Sequence, residues 1–319
     1  MSAPLFSVVV PAFNTSATIE ETISSILGQT CSDYEIIVVD DGSPDNVGDV
    51  VAKLYGNRVK LIRQLNKGLA GARNTGIDHS KGKFVAFLDS DDCWLPNKLA
   101  VQADQITNHP ETDVFYANCY FWESDHPTKL WTDIHGQKNG HILAELINRS
   151  VMLPVLTAVV RRQTLVQVGK FDDSLRQVED YDLWLRLCVN GSNFYSTPEP
   201  LALYRLNPAG LSQNRLQMAS TQLEVYHKLL RNPSLPRPMV SLVTSQINLF
   251  SRERIGLERS AALESGQRVK AASKTLSLSR FHPQAIPKHL VTAAGILLAP
   301  KYVARHLNKA SGSASSNLL

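Results

Sequence analysis

Two hydrophobic periods alternate along the first third of the chain. Residues 6–10 form an unbroken run built on Val8, Val9 and Val10, the pattern of a strand covered on both faces. Residues 17–27 then set Ile19, Ile23, Ile26 and Leu27 at helical spacing behind a capping Thr15 or Ser16. The same signals recur, predicting strands over 35–39, 59–63 and 84–88, helices over 49–55, 70–79 and 98–107, and a short strand over 114–116. Strands alternating with helices predict an α/β fold, a mostly parallel sheet with flanking helices and right-handed crossovers. From about residue 123 to 150 the alternation stops and His, Gly, Asn and Thr dominate, which reads as a surface excursion. Regular segments resume at 155–160, 181–189 and 201–204. Pro233, Pro236 and Pro238 then break the chain ahead of a mainly helical tail with a Ser-rich end.

Composition narrows the class. The 319 residues are 43% hydrophobic and 19% charged, which excludes wholesale disorder, collagen-like repeats and disulfide scaffolds. The net charge of +4 is too small to indicate a nucleic-acid partner, but it is unevenly spread. Residues 1–230 carry 20 Lys and Arg against 26 Asp and Glu, and residues 231–319 carry 13 against 3. An acidic body of residues 1–230 therefore precedes a basic helical extension of residues 231–319. Cys31, Cys93, Cys119 and Cys188 form no C-x-x-C pair and read as reduced, buried thiols; the nine His residues show no metal-ligand spacing. The first residues lack a basic segment, Pro11 interrupts the first apolar run, and 290–299 is about half the length that spans a bilayer. The expected location is cytoplasmic. Lys288, Lys301, Arg305 and Lys309 around 290–299 suit a helix resting on the inner face of the cytoplasmic membrane, or equally a solvated or partner-docking tail.

Parallel sheets bind ligands beyond the carboxyl ends of their strands. The residues there are Pro11-Ala12-Phe13-Asn14, Asp40-Asp41-Gly42-Ser43, Asn66-Lys67-Gly68 and Asp89-Ser90-Asp91-Asp92. Three carboxylates within four residues repel unless a cation neutralises them, and Mg²⁺ or Mn²⁺ would take such oxygens together with substrate phosphates. An acidic turn capping the next helix explains the same tetrapeptide. A carboxylate of Asp40-Asp41 could accept hydrogen bonds from a nucleobase or ribose; a Gly-containing turn explains it too. The segment from Asn66 to Gly76 is small and carries Lys67 and Arg73, which could meet phosphate. Neither a P-loop nor Gly-x-Gly-x-x-Gly after the first strand is present, which weighs against a dinucleotide dehydrogenase.

In this order and spacing, the stretches 7–14, 35–43, 66–76 and 87–92, with Trp94 and Pro96 beyond, resemble the family two glycosyltransferases, inverting enzymes with the nucleotide-sugar-binding GT-A fold. The likeness is dense over residues 5–110 and thins toward 215. It implies a nucleotide-sugar half over about 1–115 and an acceptor half over about 116–230. It also implies that Pro11, Ala12 and Asn14 line the nucleotide pocket, Asp41 binds the base with Asp40 supporting the loop, and Arg73 lies near the nucleotide or diphosphate. Asp89-Ser90-Asp91 is similar to the family's Asp-x-Asp motif, with Asp91 as direct metal ligand and Asp89 nearer the sugar. Leu203-Tyr204-Arg205-Leu206-Asn207 resembles a late Tyr-Arg-x-His segment in which Asn207 replaces His, leaving Arg205 to compensate.

Transfer with inversion needs a base for the acceptor hydroxyl. Glu179-Asp180 precedes an amphipathic helix, where carboxylates also simply favour the helix dipole. The resemblance makes Asp180 the base and Glu179 its orienting partner, with Asp182 a nearby rival. The expected activity is transfer from a nucleotide-diphosphate sugar, a UDP-sugar first, to a hydroxyl of a glycan or lipid-linked precursor in polysaccharide biosynthesis for the cell envelope. Competing readings are a non-catalytic nucleotide-sugar-binding module and an Asp-dependent phosphatase, which Asp92-Cys93 fits poorly. Trp94, Trp122, Trp131 and Trp184 are candidates for stacking on sugars, at least two of them expected in the core.

Overall fold

The computed structural model describes residues 3–123, 126–207, 214–281 and 283–298. Strand β1 (Phe6–Ala12) is buried along its whole length, so each alternate side chain needs an apolar partner on one of two faces. Phe6, Val8 and Val10 share one cluster with Ile36 and Val38 of β2 (Tyr34–Asp40), reached through α1 (Ile19–Leu27), which adds Ile19, Ile23 and Ile26. Helix α2 (Val47–Tyr55) adds Val47 and Val51 to that cluster. Strand β3 (Lys60–Arg63) leads into α3 (Gly68–Asp78), whose Ala72 packs on Ile37 and Val39, the opposite face of β2. Close approach of α3 to the sheet depends on Gly76, where an added Cβ would lie 2.2 Å from a Val9 methyl.

Strand β4 (Phe84–Phe87) completes a parallel block in the order β3-β2-β1-β4. The short β5 (Cys93–Trp94), α4 (Lys98–Asn108), β6 (Val114–Glu123) and β7 (His126–Leu130) follow. Then come α5 (Leu143–Ile147), β8 (Val159–Arg161), α6 (Arg162–Gln167), α7 (Glu179–Val189) and β9 (Phe194–Arg205). Beyond β4 the sheet continues as β8-β6-β9-β5, with β7 paired to β6; β8 runs antiparallel to β4 and β6, while β6 and β9 are parallel.

Two strands are longer than the periodicity predicts. β6 continues past residue 116 to Glu123, and β9 starts at Phe194 although Pro198 and Pro200 lie within it. Proline lacks the ladder N–H, and the register absorbs it: Ala117 opposes Thr197 but Asn118 opposes Pro200. The Asn118 amide fills the gap, its Nδ2 donating to Pro198 O at 3.3 Å and its Oδ1 accepting from Cys119 N at 3.0 Å. The excursion expected over 123–150 contains the exposed edge strand β7 and helix α5.

By compactness the chain divides into two units, Met1–Gly210 and Leu211–Leu319. The second holds α8 (Arg215–Leu230), α9 (Met239–Glu264), α10 (Arg268–Ser277) and α11 (Ile286–Leu298). Pro233, Pro236 and Pro238 lie in the turn between α8 and α9. Tyr226 of α8 meets Phe250 of α9 at 5.7 Å between ring centroids. Ala262, Ala271, Ala272, Ala293 and Ile296 form the small core of α9, α10 and α11. Lys301, Arg305 and Lys309 lie outside the described residues. Among the described residues, no helix is long and apolar enough to cross a membrane.

Candidate active site

Strands β1, β2 and β4 end side by side, so the loops after them share one edge. Ala12 is opposite Asp40, and Leu88 N–H, just past β4, donates to Val9 O at 3.1 Å. Pro11 and Ala12 are buried; Asn14 follows with φ +57° and donates its main-chain N–H to Ser43 Oγ at 3.2 Å. Asp40 Oδ1 accepts Ser43 N–H at 3.0 Å, tightening the second loop. Asp41 is buried, and its Oδ1 accepts Lys67 N–H at 2.9 Å and the Gln64 amide at 2.6 Å. Those bonds fix the Asp41 carboxylate against the loop ahead of α3 and leave Oδ2 outside them.

Arg73 organises the acidic groups. It projects from α3, is 1% exposed, and bonds Asp89 Oδ1 through one terminal nitrogen and Glu179 Oε1 through the other, both at 2.6 Å. One buried cation thereby joins the loop after β4 to the start of α7, 90 residues apart in sequence from Asp89 to Glu179. Burial opposes its charge, but Asp89, Glu179 and Asp180 together hold the guanidinium protonated more firmly than usual. The Phe171 ring lies 5.3 Å beneath the guanidinium. Sequence reasoning sets Arg73 beside the nucleotide or diphosphate; in the structure both of its terminal nitrogens engage carboxylates.

Asp180 is half-buried beside this pair, and its Oδ1 accepts Tyr181 N–H at 2.7 Å. Burial and the Glu179 charge push its carboxyl up to about 7, against the pull of Arg73. Asp182 has a different role, since its Oδ2 pairs with Arg186 Nε at 2.7 Å and Arg186 also bonds the Val168 and Lys170 carbonyls. Just before Glu179, Val178 has φ +54°. A β-branched residue in the left-handed region is strained and needs surrounding structure to hold it; here it turns the chain so that α7 starts on the two carboxylates.

Arg205, at the end of β9, closes the acidic loop from the other side. Its Nε donates to Asp91 O at 2.7 Å, its main-chain N–H to Asp92 Oδ1 at 2.7 Å, and a terminal nitrogen to Glu21 at 2.5 Å. The guanidinium also covers the Trp122 ring at 3.8 Å. Ser90 is buried, and its carbonyl accepts from Thr18 Oγ1 at 2.8 Å. Burial and the Asp89 charge push Asp91 up to about 6, and burial with the Asp91 and Asp89 charges pushes Asp92 well up. Tyr204, next to Arg205, is raised first by burial and then by Asp92, Asp89, Asp91 and Asp180. Trp94, Trp122 and Trp184 are buried, while Trp131 is half-buried between Phe121 and His135. Cys93, Cys119 and Cys188 are buried and Cys31 is half-buried; all four are free thiols.

Among the described residues, no cluster of three or more His, Cys, Asp or Glu groups could hold a metal by itself. The donor set still fits a hard divalent cation. Asp91 is a carboxylate whose charge is poorly compensated, beside Asp89, and an incoming diphosphate would supply the remaining oxygens.

The sequence of the first unit matches the family model Glycosyl transferase family 2 over residues 7–162. It is 31% identical over 231 residues to the Escherichia coli UDP-Glc:alpha-D-GlcNAc-diphosphoundecaprenol beta-1,3-glucosyltransferase WfgD, covering 72% of this chain and 88% of that one. The fold superposes on S. aureus TarS 1-349 in complex with UDP-GlcNAc at TM-score 0.64 and 17% identity, over 98% of this chain and 92% of that one. It also superposes on the mannosyltransferase PcManGT from Pyrobaculum calidifontis, solved with GDP-Man and Mn²⁺, at TM-score 0.61 and 19% identity, over 99% of this chain and 88% of that one.

Proposed function

The chain belongs to glycosyl transferase family 2, and we propose that it moves a sugar, with inversion, from a UDP-sugar to a hydroxyl of a lipid-linked or glycan precursor of cell-envelope polysaccharide. The observation that carries the reading is the Arg73 bridge, which brings the acidic loop and the Glu179-Asp180 pair into one charged cluster. The donor half is read as about residues 1–115 and the acceptor half as about residues 116–230. In the donor half Asp41 and Asn14 receive the nucleotide, with Pro11 and Ala12 as its floor and Asp40 holding the loop.

Asp180 takes the proton of the acceptor hydroxyl as that oxygen attacks the anomeric carbon. The bond from that carbon to the diphosphate breaks, and its electron pair leaves on the nucleotide. A carboxyl raised by burial and by the Glu179 charge is a stronger base than a free one, which suits this transfer. Glu179, held by Arg73, orients the base and keeps a negative charge next to it. Asp91, with Asp89 beside it, would hold Mn²⁺ or Mg²⁺, which when bound neutralises the departing diphosphate. The TarS complex with UDP-GlcNAc and the PcManGT complex with Mn²⁺ support donor and metal by likeness of fold, and the WfgD name supports the lipid-linked acceptor. An acceptor of that kind would suit a peripheral position at the inner face of the cytoplasmic membrane.

The test incubates purified full chain with UDP-Glc, UDP-GlcNAc, UDP-Gal and GDP-Man, a mixed acceptor pool, and Mn²⁺, Mg²⁺ or EDTA. Free nucleotide and product configuration are read out. Metal-dependent release with an inverted product is expected. Asp91→Ala should abolish it, and Asp180→Asn should lower the rate roughly 10²–10⁴-fold while nucleotide still binds. Near-normal transfer by Asp180→Asn removes Asp180 as base. Binding without turnover would mark a binding module, and metal-independent phosphate release from monoesters a phosphatase.

A further inference from the structure

Helix α11 is amphipathic in an unusual sense, because its outward face is the greasy one. At 100° per residue, Ile286, Leu290, Val291, Leu297 and Leu298 fall within one arc, while Ala293 and Ile296 point into the small core with α9 and α10. The outward five are 42%, 54%, 74%, 45% and 85% exposed. They make up five of the sixteen exposed large apolar side chains among the described residues, concentrated on a 13-residue helix. Isolated exposed apolar residues are ordinary on a protein surface, but a contiguous stripe marks a surface that meets something.

The surrounding charge selects what that something is. From residue 268 to 298 the chain carries Arg268, Lys270, Lys274, Arg280 and Lys288 and no Asp or Glu. Lys274 pairs with Glu258 of α9. Arg268, Lys270, Arg280 and Lys288 have no such carboxylate within their own stretch. A protein partner that covers an apolar stripe does not require the stretch bearing it to be basic and free of acid, whereas an anionic bilayer attracts such a stretch at about 1 kcal/mol per Lys or Arg near its surface. At 1.5 Å per residue α11 is about 20 Å long, too short to cross the hydrocarbon and suited to lie in the interface.

We infer that α11 docks the protein on an anionic lipid bilayer, with Ile286, Leu290, Val291, Leu297 and Leu298 entering the headgroup boundary and the basic groups of α10 and α11 meeting lipid phosphates. The inference takes its purpose from the lipid-linked acceptor proposed above, but its binding step is measured without any acceptor.

The experiment floats the full chain with vesicles of equal phosphatidylglycerol and phosphatidylcholine, and with phosphatidylcholine alone. A Val291→Glu/Leu298→Glu variant changes the two most exposed positions of the stripe, where the packed core is untouched. The wild-type chain should bind the anionic vesicles at least tenfold better than neutral ones and be released by 0.5 M NaCl, as screening requires. The variant should bind at least tenfold more weakly, with unchanged thermal unfolding and unchanged nucleotide release in a lipid-free assay. Wild type that stays unbound, a variant that floats like wild type, or equal binding to neutral vesicles overturns the inference. Wild type that dimerises in sedimentation, is dissociated by the variant, and ignores vesicles assigns the stripe to a second copy instead. A chain that floats but releases no nucleotide leaves the docking inference standing and defeats the transferase reading.

Discussion

Replacing Arg73 by Met tests whether the acidic centre is held together by charge. The side chain is 1% exposed, and its partners Glu179 and Asp89 are 6% and 24% exposed at the side chain. At 2.6 Å both contacts are charge-assisted hydrogen bonds, so methionine, which fills similar volume, removes the cation without opening a large cavity. What remains is Glu179 in a buried site, next to Asp180 and without its cation. Removing one member of a buried pair costs about 3–5 kcal/mol, most of it the penalty on the charge left behind. Asp89 is more accessible and can regain water, so the larger share falls on Glu179. In a urea titration, Arg73→Met should lower the unfolding free energy by that amount, read as a lower midpoint at an unchanged slope.

A double-mutant cycle makes the reasoning refutable. Glu179→Gln alone also breaks the bridge, but it leaves Arg73 its contact with Asp89. Combined with Arg73→Met, it removes the orphaned carboxylate and should recover about 2 kcal/mol or more of the single-variant loss, a coupling of the size seen for contacting groups. A double variant that costs the plain sum of the singles would show that the two side chains do not act on each other. An Arg73→Met unfolding free energy within about 1 kcal/mol of wild type would show that Asp89 and Glu179 do not need the cation, and the bridge would then carry no argument about function.

Two further expectations concern the scaffold. Lys98 is fully buried, donates to Gln102 Oε1 at 2.6 Å and covers the Trp94 ring at 3.9 Å; burial lowers its pKa well below the ordinary value. The unfolded chain therefore binds the extra proton between that lowered value and about 10.4, so stability should rise with pH through this window; Lys98→Met should flatten the rise in urea midpoints measured at several pH values, and an unchanged slope would refute the assignment. Gly82→Ala would put a Cβ 2.5 Å from Ser7 N and 2.7 Å from Phe6 C, on central-strand backbone that cannot give way, and should cost about 1–3 kcal/mol. Gly256→Ala in α9 meets no atom within 4 Å and should be neutral or stabilise by up to about 1 kcal/mol.

How far the sequence spoke depended on distance along the chain. The parallel block β3-β2-β1-β4 was legible because each strand is a short apolar run answered by a helix of matching period, and the loops at its edge carry recognisable residues. The length of β9 was hidden because Pro198 and Pro200 are local stop signals, and only pairing with β6 and the Asn118 amide overrides them. The edge strand β7 is exposed at His126, Pro127, Thr128 and Lys129, so it shows no apolar alternation to read. Asp180 and Asp182 could not be separated by pattern, since both sit on the first turn of α7; the structure adds that Asp182 pairs with Arg186, which reaches on to the Val168 and Lys170 carbonyls. The meeting of Arg73 with Glu179 leaves no local trace at all. One available signal was a charged residue amid the small side chains of α3, a position that burial permits only with partners.

The two arginines explain why the acidic loop is unevenly neutralised. Arg73 meets the Asp89 carboxylate through a direct bond, whereas Arg205 bonds the Asp91 carbonyl and gives Asp92 its main-chain N–H, its charge acting on both carboxylates without outweighing their burial. The Arg205 guanidinium also bonds Glu21 and covers the Trp122 ring. A loop in which every carboxylate had its own cation would have no electrostatic attraction left for a metal. Here one is paired and the neighbouring Asp91 is raised to about 6 by burial and by Asp89, a group that gains most from a divalent charge arriving with phosphate oxygens. By that argument Asp91 is the better candidate of the two for the proposed direct ligand, and Asp89 is the residue through which Arg73 ties the acidic loop to Glu179.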